Sequence, residues 1–336
     1  MKKLKRIFAV FFCLLLASGI LGGCGKAASS SAPAPSASQS GSKPLKIVTT
    51  IFPEYDWVRE ILGDKADHAE VTMLLDNGVD LHSYQPTADD IIKISDCDLF
   101  IYVGGESDGW VEDTLKEAAN QDMQVIKLLD VLGEQVKEEE VVEGMEAEEE
   151  ESEDEDEPEY DEHVWLSLKN TETLCNAITD TLEEIDPANK DAYAANAASY
   201  LEKLAALDGE YQTVVDHATR KTVLFGDRFP FRYLVDDYGL SYYAAFAGCS
   251  AETEASFETI SFLAGKVDEL GLPCVLTIEG AQHKIAETIV QNSAAKNQSI
   301  LTLDSMQSTT SADAANGTTY LSVMESNLDV LKQALN

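Results

Sequence analysis

The sequence predicts an α/β protein of two doubly wound lobes joined by one long rigid helix. Three observations carry this. Short apolar, β-branched runs alternate with segments of helical period, a long helical stripe interrupts them, and the alternation then resumes. Short strands alternating with helices favour parallel sheets of βαβ units.

In the first lobe, Lys46 to Phe52 reads as a strand ended by Pro53. Tyr55, Val58, Ile61 and Leu62 then have helical spacing, and Gly63 closes that helix. Ala69 to Leu75 is a second strand. Thr87 caps a helix with Asp89 and Asp90 in its first turn. Asp98 to Val103 is a buried strand stopping at Gly104-Gly105, and Gln124 to Leu128 is another. The dividing stripe runs from Asp186 to His217, with Ala197, Leu201, Leu204, Tyr211 and Val215 on one face and Leu207 and Val214 widening it. At about 1.5 Å per residue it would reach about 45 Å, longer than one small lobe needs. Beyond it, strands are expected over Thr222–Phe225, Leu240–Phe246, Cys274–Ile278 and Ser299–Leu303. Helices are expected over Phe231–Tyr238, Phe257–Leu270, Ala281–Ala295 and Tyr320–Leu335.

The ends of the lobes follow from composition. Lys2, Lys3, Lys5 and Arg6 precede an uncharged, largely apolar run from Ile7 to Leu21, and Gly22-Gly23-Cys24 follows. A basic end, a short apolar core and small residues make a secretory signal, and the run is too short to span a bilayer. Leu21-Gly22-Gly23-Cys24 resembles the bacterial lipobox, which implies lipidation at Cys24. Ala27 to Pro44 is almost entirely Ala, Ser, Pro and Gly, a flexible tether. The expected organisation is a signal over 1–23, lipidated cysteine and tether over 24–44, a first lobe over 45–185, the linking helix over 186–218 and a second lobe over 219–336. The expected location is outside the cytoplasm, lipid-anchored to a bacterial cell membrane. Between Glu138 and Glu162, 17 of 25 residues are acidic, a density that predicts a disordered or loosely ordered insert in the first lobe.

The net charge of −37 argues against nucleic acid or an anionic lipid surface as partner, and suits a cationic ligand. Cys97, Cys175, Cys249 and Cys274 show no CxxC pairing, which speaks against a thiolate zinc site. Cys249 and Cys274 are placed to pair as a disulfide, with four buried free thiols the equal alternative.

Of five histidines, His82 and His163 sit in loops at element ends, where doubly wound folds place ligands. Neutral imidazole suits zinc and other divalent transition metals. Spacing proves no site, since the two are far apart in sequence. His68, His217 and His283 read as surface residues. Tyr55, Trp57, Trp110 and Trp165 read as packing.

Gly78-Val-Asp-Leu-His-Ser-Tyr-Gln-Pro-Thr87 resembles a motif of the cluster A-I solute-binding proteins, the zinc and manganese receptors of metal ABC importers. Asp161-Glu-His-Val-Trp-Leu166, with Asn170 downstream, resembles their second histidine motif, and an acidic insert stands between the two. The resemblance runs from about Lys46 to the C-terminus. It implies a C-clamp with the metal between lobes, held by His82 and His163 and by two ligands of the second lobe. Asp304 matches one. At the other position, where the family carries histidine or glutamate, this chain has Arg228. Arginine stays protonated and cannot ligate. Glu279, Asp227 or an open coordination position are the replacements, with Glu279 favoured, and Arg228 would pair with one of those carboxylates.

The implied function is high-affinity capture of a divalent metal, zinc or alternatively manganese, for a membrane permease and its ATPase, by a monomer that is not an enzyme. A cell-surface zinc-dependent hydrolase and an adhesin are the competing classes. The hydrolase lacks HExxH or comparable spacing. The insert has two readings, a solvated charge run or a loose recruiter of metal. If it recruits, deleting Glu138 to Glu159 slows uptake at low metal while leaving tight binding intact. Unchanged uptake would exclude the recruiting role.

Overall fold

The computed structural model describes residues 43–146, 159–250, 254–280 and 283–336. The expected signal, Cys24 and most of the tether lie outside the described residues, as do 147–158 of the insert. The first lobe comprises β1 (Leu45–Thr49), α1 (Phe52–Leu62), β2 (Ala69–Met73), α2 (Ala88–Ser95), β3 (Leu99–Tyr102), α3 (Val111–Lys116), β4 (Gln124–Lys127), α4 (Leu128–Leu132) and α5 (Leu168–Ile185). The linking helix is α6 (Lys190–His217). The second lobe adds β5 (Thr222–Leu224), β6 (Arg228–Phe229), α7 (Arg232–Tyr238), β7 (Ser241–Tyr243), β8 (Phe246–Ala247), α8 (Phe257–Leu270), β9 (Cys274–Thr277), α9 (Lys284–Asn292), β10 (Ser299–Thr302), α10 (Ser311–Ala315) and α11 (Tyr320–Ala334).

The two sheets repeat one topology. In the first, all strands are parallel in the order β2-β1-β3-β4. In the second, β7 pairs with β5 and β10 with β9, and a parallel bridge from Phe225 to Leu276 joins the halves as β7-β5-β9-β10. Leu99, Phe100 and Ile101 are all fully buried, as expected of a central parallel strand covered on both faces. In each lobe the first strand stands between the second and third, so the chain reverses its winding there. Ligands bind outside the strand carboxyl ends at such a point.

Two helices fix the lobes to one another. α6 buries Tyr193, Ala197, Tyr200, Leu204, Leu207, Tyr211 and Val215 at steps of three and four. Its Asn196 donates to Ile61 O of the first lobe at 3.0 Å, and its Tyr211 hydroxyl donates to Met324 O of α11 at 2.6 Å. α11 starts against the first lobe: Tyr320 N donates to Asp56 at 2.8 Å, and its ring meets Trp57 edge-on at 5.4 Å. Tyr320 hydroxyl also donates to Trp165 O at 2.7 Å.

The expected strand Leu240–Phe246 divides into β7 and β8, which pair with different strands, and three further departures have clear causes. The linking helix starts at Lys190, not Asp186. A residue before proline avoids helical backbone, and here Asp186 precedes Pro187 and accepts from Asn189 and the Tyr193 hydroxyl, each at 2.7 Å. The 18-residue helix α5 is absent from the sequence reading, because Thr171, Cys175 and Thr179 thin its buried apolar stripe. The insert is ordered over 138–146. Glu138 and Tyr160 form an antiparallel bridge, Glu146 bridges to Phe246, and Arg232 pairs with Glu140. Carboxylates here find donors on the second lobe, which satisfies charges that would otherwise repel. A deletion that spares these contacts has to begin after Glu146.

Glu54 in the first turn of α1 is fully buried, accepting from Thr50 N at 2.8 Å, Thr50 Oγ at 3.1 Å and Ile51 N at 3.3 Å. Burial raises its pKa well above the ordinary 4.5, and those donors oppose the shift in part. The folded state therefore keeps a proton that the unfolded chain releases near 4.5. Its contribution to stability is complete below that pH and is lost as pH rises toward the folded value. Glu54→Gln should flatten the fall in thermal stability above about pH 4.5. Parallel slopes for variant and parent would show that this proton does not contribute.

Candidate metal centre

His82 lies in a single 3₁₀ turn between β2 and α2. Asp80 caps that turn, accepting from His82 N at 3.0 Å. His163 precedes a second such turn, Val164–Leu166, which leads into α5. Asp161 Oδ1 accepts both His163 N at 2.8 Å and His163 Nδ1 at 2.9 Å, so backbone and ring are held by one oxygen. On His82, Nδ1 lies 2.8 Å from Ser107 Oγ and 3.6 Å from Glu162 Oε2. With both Nδ1 atoms engaged, the Nε2 atoms face each other at 3.2 Å.

Electrostatics separates the two rings. Burial, then repulsion from His163, pushes His82 down to about 3 despite the pull of Asp80. Burial also lowers His163, but the charge and hydrogen bond of Asp161, followed by Glu162 and Asp80, outweigh it and raise the ring above its ordinary value. One of the two Nε2 atoms donates to the other across this 3.2 Å gap.

A third group joins them. Ligand atoms of His82, His163 and Cys249 all lie within 4.8 Å of one another. Gly248 lets this approach happen: a Cβ there would stand 3.0 Å from His163 Cε1 and 2.9 Å from Phe229 O. The sequence reading missed Cys249 because it sought thiolates close together in the chain, whereas this one comes from the loop after β8. Cys249 is unpaired, as are Cys97, Cys175 and Cys274, so the disulfide alternative is not adopted.

The carboxylates named from the sequence are placed apart from this group. Glu279 accepts from Ser305 N at 2.6 Å, Ser305 Oγ at 2.7 Å and Gln307 N at 3.0 Å, and so organises the loop after β10. Asp304, in that loop, accepts from Met306 N at 2.8 Å. Burial and the nearby charge of Glu279 push its carboxyl up to about 6. Trp165 Nε1 donates to Ser305 O at 2.8 Å, tying the Asp304 loop to the His163 turn. Asp227 accepts from Arg228 N at 2.9 Å and Ile278 N at 3.3 Å, a tie between the ends of β5 and β9. Arg228 pairs with neither Asp227 nor Glu279 through its guanidinium. It reaches the first lobe instead, donating to Asp80 Oδ2 at 2.5 Å, because Asp80 beside His82 is the half-buried carboxylate facing it. His68 and His217 are exposed, and Trp57 and Trp165 are buried packing residues, as expected.

The zinc-uptake complex component A (ZnuA) family model matches residues 47–334. Zinc-binding lipoprotein AdcA of Streptococcus pneumoniae is 33% identical over 290 residues, 86% of this chain and 55% of the relative. The chain thus spans about half the length of the streptococcal relatives. The high-affinity zinc uptake system protein ZnuA of Bacillus subtilis is 31% identical over 337 residues, 99% of this chain and 98% of that protein. The Zn(II)-bound ZnuA-like domain of pneumococcal AdcA superposes with a TM-score of 0.67 at 30% identity, covering 87% of this chain and 99% of the domain. The metal-dependent lipoprotein YcdH of Bacillus subtilis gives 0.69 at 26% identity, over 87% of this chain and all of that one. Two lobes of repeated topology, a spanning helix and a family match over nearly the whole described body agree: this chain belongs to the ZnuA family.

Proposed function

We propose that the protein captures zinc outside the cytoplasm and delivers it to a membrane permease coupled to an ATPase, tethered to the membrane through a lipid on Cys24. The observation that carries this reading is the histidine pair. Two nitrogens bound at about 2.0–2.1 Å to a tetrahedral zinc ion stand about 3.3 Å apart, and His82 and His163 present theirs at 3.2 Å. Each ring is oriented by a partner on its other nitrogen, the usual support for a metal-binding imidazole. Asp304 is the oxygen donor we assign to the second lobe. Glu279, occupied by three donors, holds the loop that carries it. Manganese is the alternative cargo, favoured if carboxylate oxygens dominate the bound state.

The zinc-uptake names of the matched relatives support the transport role, and the bacillary relative does so over its full length. Capture followed by release needs a site that binds tightly yet can be opened. Here the two imidazoles come from one lobe and Asp304 from the other.

Zinc titration calorimetry should show binding by the parent chain, weakened by about 100-fold or more in His82→Ala and His163→Ala, since even the hydrogen-bond partners of ligands are worth about 10- to 100-fold. A parent that binds no zinc, or variants that bind as tightly, would reject the site. Metal binding needs a neutral His163, so affinity should fall about tenfold per pH unit as pH drops through the raised His163 value, from above the ordinary 6.5 downward. Flat affinity across that range would show that binding does not compete with protonation of His163.

A further inference from the structure

We propose that Cys249 supplies a thiolate beside His82, His163 and Asp304, making the centre a two-histidine, one-cysteine, one-carboxylate site selective for zinc over manganese. This rests on the reading that His82 and His163 hold the metal, and deepens it.

The geometry carries the proposal. In a tetrahedral site, sulfur at about 2.3 Å and nitrogen at about 2.0–2.1 Å from zinc stand about 3.6 Å apart. The Cys249 sulfur and the ring nitrogens already lie within 4.8 Å, so about an ångström of closure completes the set. The loop that brings the sulfur there is held at three successive residues, each by a different element. Gly248 lies against the His163 ring, where a side chain would collide. Cys249 N donates to Glu139 Oε1 at 2.9 Å, from the ordered flank of the acidic insert. Ser250 O accepts from Arg228 Nη1 at 3.3 Å, and the other arm of that guanidinium grips Asp80, which caps the His82 turn. One arginine therefore links the thiol loop to the first histidine, and one glycine packs it on the second.

The other described cysteines are placed differently. Cys97, Cys175 and Cys274 are in the hydrophobic core, and Cys97 Sγ lies 3.3 Å from Met123 Sδ. Only Cys249 among the described cysteines is partly exposed and stands beside imidazole nitrogens. Glu139, Asp161 and Glu162 stand around the thiol, and their negative charge opposes a lone thiolate but favours a dication in the middle of the group. Thiolate sulfur is a soft ligand that suits zinc, whereas manganese prefers oxygen. The thiol thereby supplies a discrimination that two imidazoles and a carboxylate would not.

The test is cobalt(II) substitution in the full chain. Thiolate bound to cobalt gives an intense near-ultraviolet charge-transfer band that imidazole and carboxylate ligands lack. We expect this band in the parent and its loss in Cys249→Ser, which keeps every other cysteine. We also expect that variant to bind zinc about 100-fold more weakly and to lose most of the preference for zinc over manganese. Cobalt bound by the parent without the band, with binding still lost in His82→Ala, would overturn the cysteine ligand and leave the histidine site standing. Zinc binding unchanged in both His82→Ala and Cys249→Ser would overturn both. The parent spectrum decides the matter even if Cys249→Ser fails to fold.

Discussion

A fully buried imidazole has two nitrogens and no water to satisfy them, and most of the site follows from how His163 meets that demand. Asp161 takes one nitrogen and the backbone N–H of the same residue, which sets both the ring plane and the turn into α5. The other nitrogen is left facing His82. Tyr233 donates its hydroxyl to Asp161 O at 2.8 Å, so the second lobe braces the residue that aims the first lobe's histidine. A buried polar network of this kind is stable when each member has a partner. Here the two Nε2 atoms have only each other as partners.

That gap is useful only if the lobes around it keep their spacing. Parallel sheets joined by flexible strands would let the cleft swing widely. α6 instead bonds the first lobe through Asn196 and the second through the Tyr211 hydroxyl, and α11 reaches the first lobe through the Tyr320 hydroxyl. Large aromatic side chains bury much apolar area while losing few rotamers. The two lobes then differ in what they bring to the histidine pair. The first contributes imidazoles oriented from behind, and the second contributes loops, one carrying Asp304 and one carrying Cys249.

Much of the fold was legible because its signals are local. The cap at Thr87 is realised with Asp90 as its reciprocal partner, and Phe257–Leu270 forms as spaced. α5 was not legible, since its polar residues are buried by partners distant in sequence, such as Tyr320 hydroxyl 2.9 Å from Thr171 Oγ1. At the site, His82 and His163 stood out through their motifs. Cys249 did not, because no local pattern marks a cysteine whose neighbours come from residues 82, 139 and 163. The same holds for Arg228. Its charge excluded it as a ligand, but its true partner, Asp80, lies 148 positions away.

The bridge between Glu138 and Tyr160 has a consequence for how such chains diversify. It clamps the two ends of the acidic excursion together, and Glu139 N donates to Glu159 O at 2.9 Å beside it. The entropy of bringing those ends together is thus met by the folded body. Each doubling of the intervening length then costs only about 0.6 kcal/mol. Changes of length or composition after Glu146 accordingly leave the contacts of Glu139, Glu140 and Glu146 with the second lobe in place. The clamp thereby separates the length of the excursion from the register of the strands and loops it leaves and re-enters.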